Sequence, residues 1–127
     1  MRGTAALEAL RALLSDPRQP AEVRARGIDA LADMGLAAEP ALPELLAHLS
    51  DEVEDVRRRA AEAIGLAGQA AGDDVAYELA TRLAVLLEED GSAEVRREAA
   101  FSLGRLASDG EGVVDALRVS RTIIAGI

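Results

Sequence analysis

The sequence predicts an all-α protein, an α-solenoid of three helix pairs followed by a terminal helix, and three observations predict it. One phrase recurs. Asp16-Pro17-Arg18-Gln19-Pro20-Ala21-Glu22-Val23-Arg24 leads into ARGIDALADMG, Asp51-Glu52-Val53-Glu54-Asp55-Val56-Arg57 into RRAAEAIGLAG, and Asp90-Gly91-Ser92-Ala93-Glu94-Val95-Arg96 into REAAFSLGRLA. The Val-Arg pairs fall at 23, 56 and 95, so the unit repeats after 33 and then 39 residues, a period that marks stacked supersecondary units. Apolar residues recur at helical spacing within each unit. Half of the chain is apolar while Phe101 and Tyr77 are its whole aromatic content, so the core is built of small aliphatic side chains, which suit helices packed closely on helices.

The elements run in order along the chain. Leu7, Leu10, Leu13 and Leu14 make the stripe of a first helix over 4–14, stopped by Ser15-Asp16-Pro17. Pro20-Ala21-Glu22 starts a second with proline at its opening position. It carries Val23, Gly27, Ile28, Leu31 and Met34 on one side and ends at Gly35. Pro40 and Pro43 open a third, with Leu42, Leu45, Leu46 and Leu49 as its stripe, ended by Ser50-Asp51. A fourth, with Val56, Ala60, Ile64 and Ala67 inward, runs to Gly68. Asp73 or Asp74 is the expected N-cap of a fifth, striped by Val75, Leu79, Leu83, Leu86 and Leu87 and ending near Asp90-Gly91. The sixth runs from about Ser92 to Ala107 with Val95, Ala99, Leu103 and Leu106 inward. After Ser108-Asp109-Gly110 comes a seventh apolar segment, Val113 to Ile124. The expected repeats are about 4–35, 39–68 and 73–107, with a terminal helix at about 111–125, all in one domain of 127 residues.

Composition excludes several function classes. The net charge is −9, with all fourteen cations arginine, a bias expected of a GC-rich bacterial genome. Strong acidity disfavours a nucleic-acid groove, which needs a basic stripe, and disfavours anionic membranes. No run of 18 apolar residues exists, so no membrane-spanning helix is expected. Glu8 interrupts the first apolar run and no small-residue cleavage site comes after it, so the N-terminus reads as a helix rather than a signal peptide. The cytoplasm is then the expected location. The absence of cysteine excludes disulfides, thiolate catalysis and cysteine-based zinc sites.

The phrase Asp-x4-Val-Arg-x2-Ala-Ala-x-(Ala/Ser)-(Ile/Leu)-Gly at 51–65 and 90–104 resembles the HEAT repeat, closest to the short bacterial kind found in bilin-lyase-like proteins. The resemblance covers about residues 4–108. The first copy departs from it: Gly27 stands for Ala, Ala32 for Gly, and its turn holds two extra residues, which fits an atypical N-terminal cap. The resemblance implies a right-handed solenoid and a ladder in which Asp51 and Asp90 of the inter-helix turns bond Arg57 and Arg96, tying each turn to its neighbour. A turn carboxylate also caps backbone N–H groups. These residues are therefore structural, as are the small residues Gly27, Ala60, Ala99, Gly65 and Gly104, which let helices approach.

Catalysis has few candidates. No serine is placed beside a histidine, no lysine or cysteine nucleophile exists, and no glycine-rich phosphate loop is present. His48, the single histidine, reads as a charge partner at a helix C-terminus. Asp51-Glu52-Glu54-Asp55 lacks the glycine and bidentate glutamate of a calcium loop. No enzyme, metal or cofactor is expected.

The informative positions vary while the frame stays fixed. Counted from each Val of the Val-Arg pairs, +4, +8 and +11 face inward, and +3, +6 and +10 lie on the exposed side of the second helix, which lines the concave face in HEAT-like stacks. They read Arg26, Asp29 and Asp33, then Arg59, Glu62 and Leu66, then Glu98, Phe101 and Arg105. Leu66 and Phe101 are apolar among charges. They mark a recognition hot spot, or Phe101 folds over the adjacent helix or under the C-terminal segment. The seventh segment, with Val113, Leu117, Ile123 and Ile124, is too apolar for a helix with one neighbour. It caps the stack, covers a second subunit in a homodimer, or belongs to a longer solenoid. The expected function is a non-catalytic scaffold binding a protein partner on the concave face. A bilin-lyase-like auxiliary or chaperone, permitted by the resemblance, is the alternative, and a nucleic-acid-binding module is disfavoured by charge.

Overall fold

Val56, Ala60, Ile64 and Ala67, one stripe of the second repeat, are all fully buried, and the rest of the fold is organised around that stripe. The computed structural model describes residues 2–107, and these form six α-helices: α1 Arg2–Leu14, α2 Ala21–Met34, α3 Leu42–Ala47, α4 Glu54–Ala67, α5 Asp73–Glu89 and α6 Ala93–Ala107. They pair as α1/α2, α3/α4 and α5/α6. No strand occurs among the described residues, and the fold is an all-α solenoid.

The second helices stack directly, α2 on α4 and α4 on α6, while each first helix packs chiefly on its own partner. The stack is therefore tighter on the side of α2, α4 and α6. Leu31, Leu45, Leu79 and Leu83 from both layers fill the core. The α4–α6 contact is closest at Gly65. A Cβ there would lie 2.8 Å from the Cβ of Ser102 and 2.9 Å from its Cα, so only glycine fits. Ser102 Oγ donates to the carbonyl of Ala61 at 2.6 Å, which satisfies the one hydroxyl buried in this contact.

Several local expectations are corrected. Pro20 is the N-cap of α2 rather than its first helical residue (φ −61°, ψ 154°). Gly72 caps α5, and Asp73 and Asp74 stand in its first turn, where their charge faces the helix dipole favourably. The third helix is broken: 3₁₀ turns at Gly35–Ala41 and His48–Ser50 flank a six-residue α3. Pro40 and Pro43 both lack an N–H, so a regular α-helix cannot run from Gly35 through them, and α3 opens at Leu42 with Pro43 in its first turn, where no donor is needed. All four of its leucines are nonetheless buried. Val23 and Met34 are only half-buried, and Val75 is 41% exposed, facing an open groove between α3 and α5. His48 stands at the end of the third helix as expected and is buried there, its Nδ1 2.8 Å from the Glu44 carbonyl. That oxygen only accepts, so Nδ1 carries the proton. Gly104 is exposed, with nothing within 4 Å of a Cβ, so it mediates no close approach within the described residues.

Candidate partner-binding face

Charged side chains join the turns before they decorate any surface. Arg24 donates through Nε (2.9 Å) and Nη2 (3.1 Å) to the two oxygens of Asp51, and Arg57 does the same to Asp90 (2.9 and 3.3 Å). Each arginine also donates Nη1 into its own turn: Arg24 to the Gln19 carbonyl, Arg57 to that of Asp51 at 2.9 Å, Arg96 to that of Asp90 at 2.7 Å. Asp51 accepts the Val53 N–H and Asp90 the Ser92 N–H, both at 2.9 Å. Their carboxylates are 8% and 7% exposed. Burial alone would raise both carboxyls, but the arginine fork and the backbone N–H outweigh it and hold each below the usual carboxylate value. These side chains are therefore consumed by the scaffold.

The varying positions lie along α2, α4 and α6. Arg26 and Asp33 are exposed on α2, Arg26 pairing with Glu22 at 3.3 Å. Arg59 of α4 bridges helices, ion-paired with Asp29 of α2 and bonded to Asp55 at 2.8 Å. Leu66 is half-buried against the core, whereas Phe101 is 61% exposed on α6 and Arg105 is exposed nearby. Phe101 thus stands out from the helix rather than folding onto a described neighbour. Val113, Leu117, Ile123 and Ile124 lie outside the described residues.

One pairing is not evident from the repeat phrase alone. Asp29 at +6 of the first repeat meets Arg59 at +3 of the second. In the next junction the same two positions hold Glu62 and Glu98. Opposite charges have been replaced by like ones. Burial, then the charge of Glu62, raises the Glu98 carboxyl above its ordinary value, with Arg58 and Arg105 opposing. The sequence does carry the signal: setting +6 against the next repeat's +3 exposes the change of sign.

On the opposite side, a shallow groove of about 460 Å³ runs between α3 and α5, walled by Leu42, Leu46 and Val75. Arg82 crosses it to donate to the Leu46 carbonyl at 3.2 Å. Among the described residues no three of His, Asp and Glu are gathered in a group able to hold a metal ion, and no helix is long and apolar enough to cross a membrane.

A family model for HEAT repeats matches residues 1–65. The chain belongs to the HEAT repeat family. The match takes in the first repeat and most of the second. No curated protein matches the chain at a significant level. HEAT repeats are generally protein-interaction scaffolds and generally non-enzymatic.

Proposed function

We propose that the protein is a non-catalytic scaffold that binds a protein partner on the face lined by α2, α4 and α6. The observation that carries this reading is the exposed Phe101, one helical turn from Glu98, itself beside Glu62 where the preceding junction holds an ion pair. An aromatic side chain offers large apolar area at low entropic cost, and a like-charged carboxylate pair is relieved by a cation brought from outside. The partner segment then carries an arginine or lysine next to an apolar residue. The surrounding charges set selectivity and encounter rate more than affinity. A face with Asp29, Asp33, Glu62 and Glu98 repels a phosphate backbone, which sets nucleic acid aside, and no feature of the described residues favours a bilin ligand.

The test is selection from a random peptide library against the immobilised full chain, with Phe101→Asp and the Glu62→Gln, Glu98→Gln double variant as counter-selections. Enriched peptides should share a basic–apolar motif, lose binding at least tenfold to Phe101→Asp, and weaken with the double variant. Peptides that bind all three proteins equally would place recognition elsewhere, and the reading would fail.

A further inference from the structure

The interior junctions of the stack share one arginine fork. At the α4–α6 junction, positions +5, +9 and +12 of α4 meet +7 and +11 of α6: Ala61 accepts from Ser102, Gly65 abuts Ser102, and a Cβ on Gly68 would lie 3.4 Å from Leu106. The donor fork at +1 joins the next repeat's turn, as Arg24 joins Asp51 and Arg57 joins Asp90. Every interior junction therefore mates a donor face with an acceptor face.

Each end of the described stack carries one unfilled half of that junction. On α6 the donor-face positions are Arg96, Ala100, Gly104 and Ala107. Arg96 holds its own turn through Nη1 in the same way as Arg24 and Arg57, but no turn aspartate meets its fork among the described residues. Ala100, Gly104 and Ala107 are exposed, whereas Ala61, Gly65 and Gly68 are buried. On the first repeat the acceptor face is complementary. Asp16 stands where Asp51 and Asp90 stand, accepting a backbone N–H two residues on (Arg18, 3.0 Å). Its carboxylate is served by its own Arg18 at 3.1 Å, a side chain 88% exposed. Val23 and Met34 are half-buried where Val56, Val95, Ala67 and Leu106 are essentially fully buried.

We propose that copies of this chain stack head to tail, the α6 end of one docking on the α2 end of the next, with Arg96 taking the place of Arg18 on Asp16 and Gly104 admitting the close approach. The occupant of each end face is a second copy, because the two faces differ and one chain carries both halves. The charges match, a cationic fork against an exchangeable surface partner; the fork is that of both junctions inside the chain, and the glycine approach is that of α4 on α6. Such a contact is heterologous and does not close on itself, so it yields an open series rather than a fixed dimer. It extends the α2–α4–α6 face across copies and does not depend on what that face binds.

Sedimentation velocity on the full chain over a wide concentration range tests this. The weight-average mass should climb past that of a dimer without a plateau. Asp16→Ala and Arg96→Ala should each lower the association constant at least tenfold, and an equimolar mixture of the two should recover association but stop at dimer, since it contains a single intact kind of junction. Gly104→Leu, whose added side chain starts in open space and so leaves the fold unharmed, should block association as strongly. A wild-type chain that remains monomeric would overturn the proposal. So would a dimer that plateaus, or one that survives all three substitutions, which would assign self-association to the segment containing Leu117 and Ile124.

Discussion

Gly65 and Gly104 occupy the same place in consecutive repeats and meet opposite surroundings, so the same substitution should have opposite signs. Gly65→Ala forces a methyl against the Ser102 backbone, overpacking a contact that cannot give, and should destabilise by about 2–3 kcal/mol. Gly104→Ala meets nothing and removes a helix-interior glycine, which should stabilise by about 0.5–1 kcal/mol. Paired urea titrations would check both, and equal effects would mean that the α4–α6 approach is not as described. Asp90 is the second residue to test. Asp90→Ala strips both fork bonds from Arg57 and the cap from Ser92, leaving a largely buried guanidinium without its partner. A loss of about 2–3 kcal/mol is expected, read as a fall in the urea midpoint with unchanged slope. The sequence pattern made Asp90 and Gly65 legible as structural. It could not separate Gly104 from Gly65, because the two share a motif and differ only in whether another second helix packs against them.

At the scale of elements, helices whose apolar stripe is regular were legible in the sequence, and helices whose ends are decided by competing backbone chemistry were not. The fourth and sixth helices combine a strict Val/Ala/Ile-Leu spacing with an aspartate turn, so burial and boundaries agree with the pattern. The third carries as good a leucine stripe, yet two prolines three residues apart remove the donors that an α-helix needs, and 3₁₀ turns take over. Val75 faces an open groove between α3 and α5, a spacing of elements that no periodicity in the fifth helix records. The cap of α5 is ambiguous in the sequence for a similar reason. Aspartate suits both the N-cap and the first turn, and here glycine takes the cap with extended backbone (φ −64°, ψ 165°) and no side-chain bond. A cap can therefore be added. Gly72→Ser, with nothing within 4 Å of its new Cβ, supplies an acceptor for the first-turn N–H groups. It should gain about 0.2–0.5 kcal/mol, seen as a rise of about 1–3 °C in Tm; a fall in Tm would show that the first turn of α5 is satisfied by other means.

For the whole molecule, the two kinds of carboxylate make opposed contributions to stability against pH. Asp51 and Asp90 are held below the ordinary carboxylate value by their arginine forks. Their stabilisation is present above the unfolded value of about 3.9 and is lost as pH falls through the lower folded values. Glu98 is raised by burial and by Glu62. Its contribution is complete below the unfolded value of about 4.3 and disappears as pH rises through the higher folded one. The protein should therefore become slightly more stable as pH falls through the raised folded value of Glu98, while the forks remain ionised. It should then lose stability steeply below about pH 4, where the aspartates protonate. Glu98→Gln separates the two effects. It should raise stability at pH 7 by about 0.3–0.5 kcal/mol, as expected for relief of a partly exposed like-charge contact, leave pH 4 unchanged, and flatten the rise between them. Calorimetric melts of both proteins from pH 3 to 7 would resolve this. The gain at pH 7 has a functional meaning: it is repulsion left in the free scaffold, which a cationic side chain docking beside Phe101 would relieve on binding. A Glu98→Gln protein no more stable than wild type at pH 7 would remove that motive for a basic partner.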